Sequence, residues 1–162
     1  MIAIRPATVA DAPRCAEIYA PFVTDSWVSF ETDPPDDAAM AGRIAGALDT
    51  HDWLVAETDG RVLGYAYGSG HRTRAAYHTS CDVAAYVDPD HKRRGIGRSL
   101  YEALLSRLKA RKMHAAFAGI ALPNEASIAL HRAIGFDPVG IYRQVGWKMG
   151  GWRDVAWFQQ LL

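Results

Sequence analysis

The chain has no excess of either charge: 18 Lys and Arg stand against 18 Asp and Glu over 162 residues. A dedicated nucleic-acid binder carries a clear positive excess. Neutrality therefore argues against that class, as does the lack of a helix-turn-helix or an aromatic RNA platform. Cysteine is scarce. Cys15 and Cys81 are the only two, and no motif pairs them, so they read as free thiols of a reducing compartment. The opening MIAIRPATVADA has no cationic stretch followed by an apolar one. No apolar run approaches the ~20 residues of a membrane span. The expectation is a cytoplasmic protein that does not enter a membrane. The 6 histidines form no H-x-x-x-H and no Cys/His cluster, so no metal is expected. Repeats, low-complexity tracts and linkers are also missing, which predicts a single domain over 1–162.

What is present alternates between strand and helix signals. Ile2–Pro6 reads as a short strand, and Thr8 as the cap of a helix over Val9–Phe22. Val23–Asp37, with Pro34-Pro35, reads as a loop, though Trp27 and Phe30 are unusual in a solvated connection. Met40, Ile44 and Leu48 predict a helix over Asp37–Leu48. Trp53–Gly70 reads as a hairpin turning at Asp59-Gly60. Thr79–Val87 and His114–Ala121 read as strands. Between them, Ile96, Leu100, Leu104 and Leu108 form the apolar stripe of a helix. Asn124 caps a helix to about Ile134, and Phe136–Tyr142 and Val155–Leu161 are the last predicted strands. The class is mixed α/β.

One stretch points to chemistry. His91–Leu105, HKRRGIGRSLYEALL, sets three cations and two glycines between a strand and a helix. A Walker A loop needs G-x-x-x-x-G-K-[ST] and a dinucleotide fingerprint needs G-x-G-x-x-G; neither is present. What remains is a glycine turn whose backbone N–H groups and helix dipole favour an anion.

AYVDPDHKRRGIGRSLYEALL resembles motif A of the GNAT N-acetyltransferases, whose [QR]-x-x-G-x-[GA] loop holds the coenzyme A pyrophosphate. Asn124 to His131 followed by Ile134-Gly135-Phe136 is similar to the family's motif B, N-x-x-A-x-x-x-Y…GF. The segments IRPATVADA, WLVAE and GWKMGGWRDVAWFQ look like the phosphinothricin and methionine sulfoximine N-acetyltransferase branch, with similarity over nearly the whole chain. The resemblance implies a mixed, mostly antiparallel sheet of about seven strands with about four helices, split between two central strands. It also implies acetyl-CoA as co-substrate, a small amino-acid-like acceptor, direct transfer in a ternary complex, and a homodimer.

Acetyl transfer to an amine needs an anchored thioester, a base for the ammonium, donors for the oxyanion and an acid for the thiolate. By resemblance, Arg93, Arg94, Gly95, Ile96, Gly97, Arg98 and Ser99 form the pyrophosphate loop, with Lys92 where the family has Gln or Arg. Ala85, Tyr86 and Val87 pair with the pantetheine arm, and Asn124 and Ser127 contact the coenzyme. Asp82 is the candidate base, one methylene shorter than the branch's usual glutamate. His131 stands where the wider family often has an acidic tyrosine. Arg72 and Arg74 are candidates for a substrate carboxylate, and Phe30 and Glu31 for the pocket wall. A polyamine, an aminoglycoside or a protein N-terminus as acceptor, or an acyl-CoA-binding module without catalysis, stay open at this point.

Overall fold

The computed structural model describes all 162 residues. Seven strands form one sheet in the order β1-β2-β3-β4-β5-β7-β6. They are β1 (Ala3–Pro6), β2 (Trp53–Thr58), β3 (Arg61–Gly70), β4 (Ser80–Val87), β5 (Ala115–Ala121), β6 (Asp137–Lys148) and β7 (Gly151–Leu161). The helices are α1 (Ala12–Thr24), α2 (Asp37–Thr50), α3 (Ile96–Ala110) and α4 (Glu125–Ala133). Every strand pair is antiparallel except β4–β5.

Two cores lie on opposite faces of the sheet. On one, α3 buries Ile96, Leu100, Leu104 and Leu108, none more than 2% exposed, against β-strand residues such as Leu54, Ala66 and Val83. Each such side chain contributes about 1.5–3 kcal/mol on burial. On the other, α1 and α2 close over Trp53, Val55, Val62 and Tyr65. The β2–β3 turn follows from Asp59 and Gly60, both at positive φ (48° and 77°), as a two-residue hairpin turn requires.

The chain departs from the sequence expectations in two places. The first helix begins at Ala12, after a 3-10 turn over Val9–Asp11. Asp11 accepts from the Thr8 amide at 2.8 Å, and Pro13 sits in the first turn, where a missing N–H leaves no helical bond unmade. The final hairpin is longer than expected. β6 runs on to Lys148 and β7 starts at Gly151, turning through Met149 and Gly150 at φ 54° and 72°. β6 is exposed along nearly all its length, so it lacks the apolar alternation that marks a half-buried strand.

The split sits at the sheet's centre. β4 pairs with β3 from Cys81 to Val87. It pairs with β5 only over Ser80–Asp82 against Ala115–Phe117. Beyond Asp82 the two strands diverge, and the β5-facing backbone edge of β4 has no strand partner.

Candidate active site

The divergence opens a cleft with two connected ends. Val28, Val83, Ala84, Tyr86, Gly119 and Ala121 border both. Short side chains on the two strands keep it open. The larger end, about 350 Å³, adds Tyr67, Ser69, Asp82 and Trp157 to its wall. The smaller adds Tyr101, Asn124, Ser127 and His131.

Past the end of β4, the chain enters the glycine turn. Gly95 is left-handed (φ 75°) and caps α3, and Arg93 is also at positive φ (62°). The first backward amide bond of α3 is Ser99 onto Gly95, 3.0 Å. The preceding amides of Ile96, Gly97 and Arg98 therefore have no helical acceptor. Ile96 lends only its backbone there, since its side chain is core. At Gly97 a Cβ would meet Leu130 of α4 at 3.4 Å, an ordinary contact, so packing alone does not demand glycine there. Lys92, Arg93, Arg94 and Ser99 are exposed, while Arg98 pairs with Glu102 on the helix surface at 2.8 Å. Asp88 anchors the turn from behind. It is buried, accepts from the Asp90 amide at 3.0 Å and is ion-paired to Arg14 of α1. Nothing in the sequence links Arg14 to this turn.

Asp82 is half-buried at the wide end. His71 Nδ1 lies 2.5 Å from its Oδ1. Burial pushes the Asp82 carboxyl above the usual aspartate range, and the His71 hydrogen bond opposes that push. His71 was not among the expected site residues, and HRTRAAYH reads as a polar surface loop.

His131 is 3% exposed. Its Nδ1 is 2.7 Å from the Ser127 carbonyl and its Nε2 is 3.0 Å from the Tyr101 hydroxyl. A carbonyl only accepts, so Nδ1 carries the proton and Nε2 accepts from Tyr101. Burial lowers the His131 pKa and raises that of the Tyr101 phenol. Tyr101 is buried beside the apolar stripe of α3 and was not among the expected site residues. Asn124 caps α4, its Oδ1 accepting from the Ser127 amide at 3.2 Å. Of Ala85, Tyr86 and Val87, the first two border the smaller end. Tyr86 is wedged among Tyr19, Phe22 and Tyr65 at centroid distances of 4.8–5.6 Å.

The α1–α2 loop roofs the cleft. Trp27 Nε1 donates to the Pro123 carbonyl at 3.1 Å, and the Arg153 guanidinium lies 4.3 Å over its ring. Buried Lys148 donates to the carbonyls of Ser29, at 2.8 Å, and Glu31. Phe30 borders the wide end and rests on Gly146. These contacts explain aromatic residues in a loop. The Glu31 carboxylate is not in the wall. It is held by both guanidinium nitrogens of Arg43, at 2.9 and 2.6 Å, and by the Tyr19 hydroxyl. Arg43 accordingly holds the Glu31 carboxyl below its ordinary range. Arg72 and Arg74 are exposed and border neither end; Arg72 donates to the His71 carbonyl at 2.8 Å.

The cleft thus brings together an unpaired edge of β4, a turn of free amides past its end and a half-buried carboxylate. Residues 13–136 match the model of the acetyltransferase (GNAT) family. The chain is 36% identical over 159 residues to the phosphinothricin N-acetyltransferase of Streptomyces viridochromogenes, covering 98% of this chain and 87% of that one. It is 36% identical to the L-methionine sulfoximine/L-methionine sulfone acetyltransferase of Pseudomonas paraeruginosa, over 96% of this chain and 92% of that one. The crystal structure of a phosphinothricin acetyltransferase from Sinorhizobium meliloti in complex with acetyl-CoA superposes with a TM-score of 0.95. It shares 35% identity, over 99% of this chain and 88% of that one. The chain belongs to the GNAT family of acetyltransferases.

Proposed function

We propose that this protein acetylates the amino group of a small amino-acid-like substrate, of the phosphinothricin or methionine sulfoximine type, using acetyl-CoA. The whole chain acts as one catalytic domain. The observation that carries this reading is the cleft itself, with a carboxylate at its wide end and an amide-lined turn past the end of β4.

The residues suit acetyl-CoA. The free amides of Ile96, Gly97 and Arg98, with Lys92, Arg93 and Arg94 around them, match a diphosphate. Ser99 follows those amides on α3, while Asn124 and Ser127 line the narrow end of the cleft. The unpartnered edge of β4 at Ala85–Val87 matches an amide-bearing arm, and its N–H groups are donors for a carbonyl oxygen. When bound, acetyl-CoA supplies the activated acyl group.

The chain's own residues do the rest. Asp82 Oδ2 accepts a proton from the substrate ammonium and leaves a neutral amine in the wide end. Tyr101 and His131 act together at the narrow end. The raised phenol pKa keeps Tyr101 protonated, and rotation of its O–H from Nε2 offers the leaving thiolate a hydrogen-bond donor without giving up the proton. His131, with both nitrogens engaged, serves through Tyr101. Phe30 and Trp157 wall the acceptor. Arg72 and Arg74, on the segment that follows His71, meet the carboxylate of an entering amino acid at the mouth. Glu31 shapes the roof through Arg43 and does not touch substrate. A second copy of the chain is supported by the row of exposed apolar residues on the last hairpin, including Val139, Ile141, Val145, Trp147 and Trp152.

Thiol release from acetyl-CoA tests the reading, with phosphinothricin, methionine sulfoximine, methionine sulfone, common amino acids and spermidine as acceptors. Turnover is expected with the amino-acid acceptors. It is expected to fall by about 10²–10⁴-fold in Asp82→Asn, the usual contribution of a positioned base. Turnover only with spermidine would overturn the substrate class. Acetyl-CoA binding without transfer to any acceptor would overturn the reaction.

A further inference from the structure

We infer that His71 is a positioning residue of the transfer: it holds one oxygen of Asp82 so that the other stays bare toward the acceptor cavity. The inference rests on the reading of Asp82 as the base. Asp82 Oδ1 is 2.5 Å from His71 Nδ1, and the carboxylate has no other hydrogen-bond partner. Oδ2 is therefore the free oxygen. An aspartate carboxyl rotates over a broad, two-fold torsion. A hydrogen bond to one oxygen removes that freedom and selects which oxygen meets the substrate.

The imidazole is itself fixed from several sides. Its ring stacks on Phe117 of β5 at 4.2 Å and 15°. Tyr77 and Trp157 meet it edge-on, each at 6.1 Å. Its amide donates to the Ser80 carbonyl at 3.4 Å. The register explains how it arrives there. Ser69 faces Asp82 and Gly70 faces Cys81 across the β3–β4 pair. The chain leaves β3 at Gly70, and His71 folds back over the carboxylate. The hydrogen-bond geometry of the base is thus set by a residue 11 positions away on the neighbouring strand's exit.

The step balances without His71 changing state. The substrate N–H bond breaks, an O–H bond forms at Oδ2, and His71 keeps its Nδ1–H. Asp82 returns that proton to water after product leaves. Asp82 meets few other charges. From the β3 side it is faced by His71, Arg72 and Tyr67, and on β4 it neighbours Cys81. β5 and β7 present Phe117, Gly119 and Trp157, and the roof presents Ser29, none of them charged. The imidazole is the group that bonds to the carboxylate.

His71→Phe keeps a ring for Phe117 and removes the donor; His71→Leu is the second donorless variant should the first not fold. His71→Asn restores a donor near the Nδ1 position. The first readout needs no turnover: the Asp82 carboxyl is titrated by ¹³C NMR in aspartate-labelled protein. Its pKa is expected to rise by about 1 unit in the donorless variants, the scale of one lost hydrogen bond to a partly buried carboxylate, and to stay near wild type in His71→Asn. The second readout is kcat/KM for the amine against pH. Its acid limb is expected to move up in step, with up to about tenfold extra loss on the acid side, over an alkaline plateau that stays below wild type because the carboxylate can then turn either oxygen to the substrate. KM for acetyl-CoA is expected not to change. The double variant His71→Phe/Asp82→Asn is expected to match Asp82→Asn alone. An unmoved Asp82 titration, a loss equal at every pH, or a further fall in the double variant would each overturn the assignment. A moved titration in a protein that transfers no acetyl group would instead reject the base reading and leave the His71–Asp82 pair standing.

Discussion

Removing a single oxygen from Tyr101 tests the narrow end of the cleft. Tyr101 and His131 are 2% and 3% exposed, and the Tyr101 hydroxyl has His131 Nε2 as its partner at 3.0 Å. Nδ1 is committed to the Ser127 carbonyl at 2.7 Å, so a ring flip to find another donor would forfeit that bond. Tyr101→Phe therefore leaves Nε2 as a buried acceptor with nothing to accept. Such a group destabilises by about 1–3 kcal/mol. For a chain of this size that corresponds to a fall in Tm of about 2–4 °C per kcal/mol. The assay is urea unfolding at pH 7.5, where His131 is neutral in both states, alongside steady-state kinetics. The double variant Tyr101→Phe/His131→Leu removes both partners and is expected to be less destabilised than the sum of the singles by about 1 kcal/mol or more. If Tyr101 also faces the leaving sulfur, kcat falls in Tyr101→Phe while KM for acetyl-CoA holds. Additive stabilities, with Tyr101→Phe costing under about 0.5 kcal/mol, would refute the pairing, because that is the scale of an ordinary surface change.

Acid should destabilise the protein through His131. Burial sets its folded pKa below the unfolded value of about 6.5, so the unfolded chain binds the proton first and stability falls as pH drops below that value, by at most about 1.4 kcal/mol per pH unit. Asp82 acts with the opposite sign, because its raised folded pKa favours the folded state as it protonates. Urea midpoints at pH 7 and 5.5 are expected to converge in His131→Leu; an undiminished acid loss would place the sensitivity elsewhere. Gly146→Ala puts a Cβ 2.4 Å from the Phe30 ring, which must then shift within the wall of the acceptor cavity. The amine KM is expected to rise several-fold with KM for acetyl-CoA unchanged, and equal changes in both would show that the roof had moved as a whole.

How far the site was legible depended on whether its chemistry is local in sequence. The glycine turn was readable because it works through backbone. Gly95 must take a positive φ, cations must stand beside it, and a helix must follow at once. These features leave marks within a few residues of one another. Asn124 was readable for the same reason, since a cap and its helix are adjacent. The split of the sheet came from the resemblance, as no periodicity reports where β4 and β5 part. Side-chain pairing was not readable. Glu31 has the residue type of a substrate contact, but Arg43 and Tyr19 occupy its carboxylate from elements separated from it by 12 positions in either direction. Arg14 steadies the glycine turn through Asp88 across 74 positions, and Tyr101 reaches His131 across 30. His71 lies only 11 residues from Asp82, yet a strand reversal separates them, and a histidine in a polar loop carries no mark of what folds against it. A titratable residue's type is written in the chain, whereas its partner is set by the fold. Asp82, which looked like a lone aspartate one methylene short, stands in the folded protein as one half of a hydrogen-bonded pair.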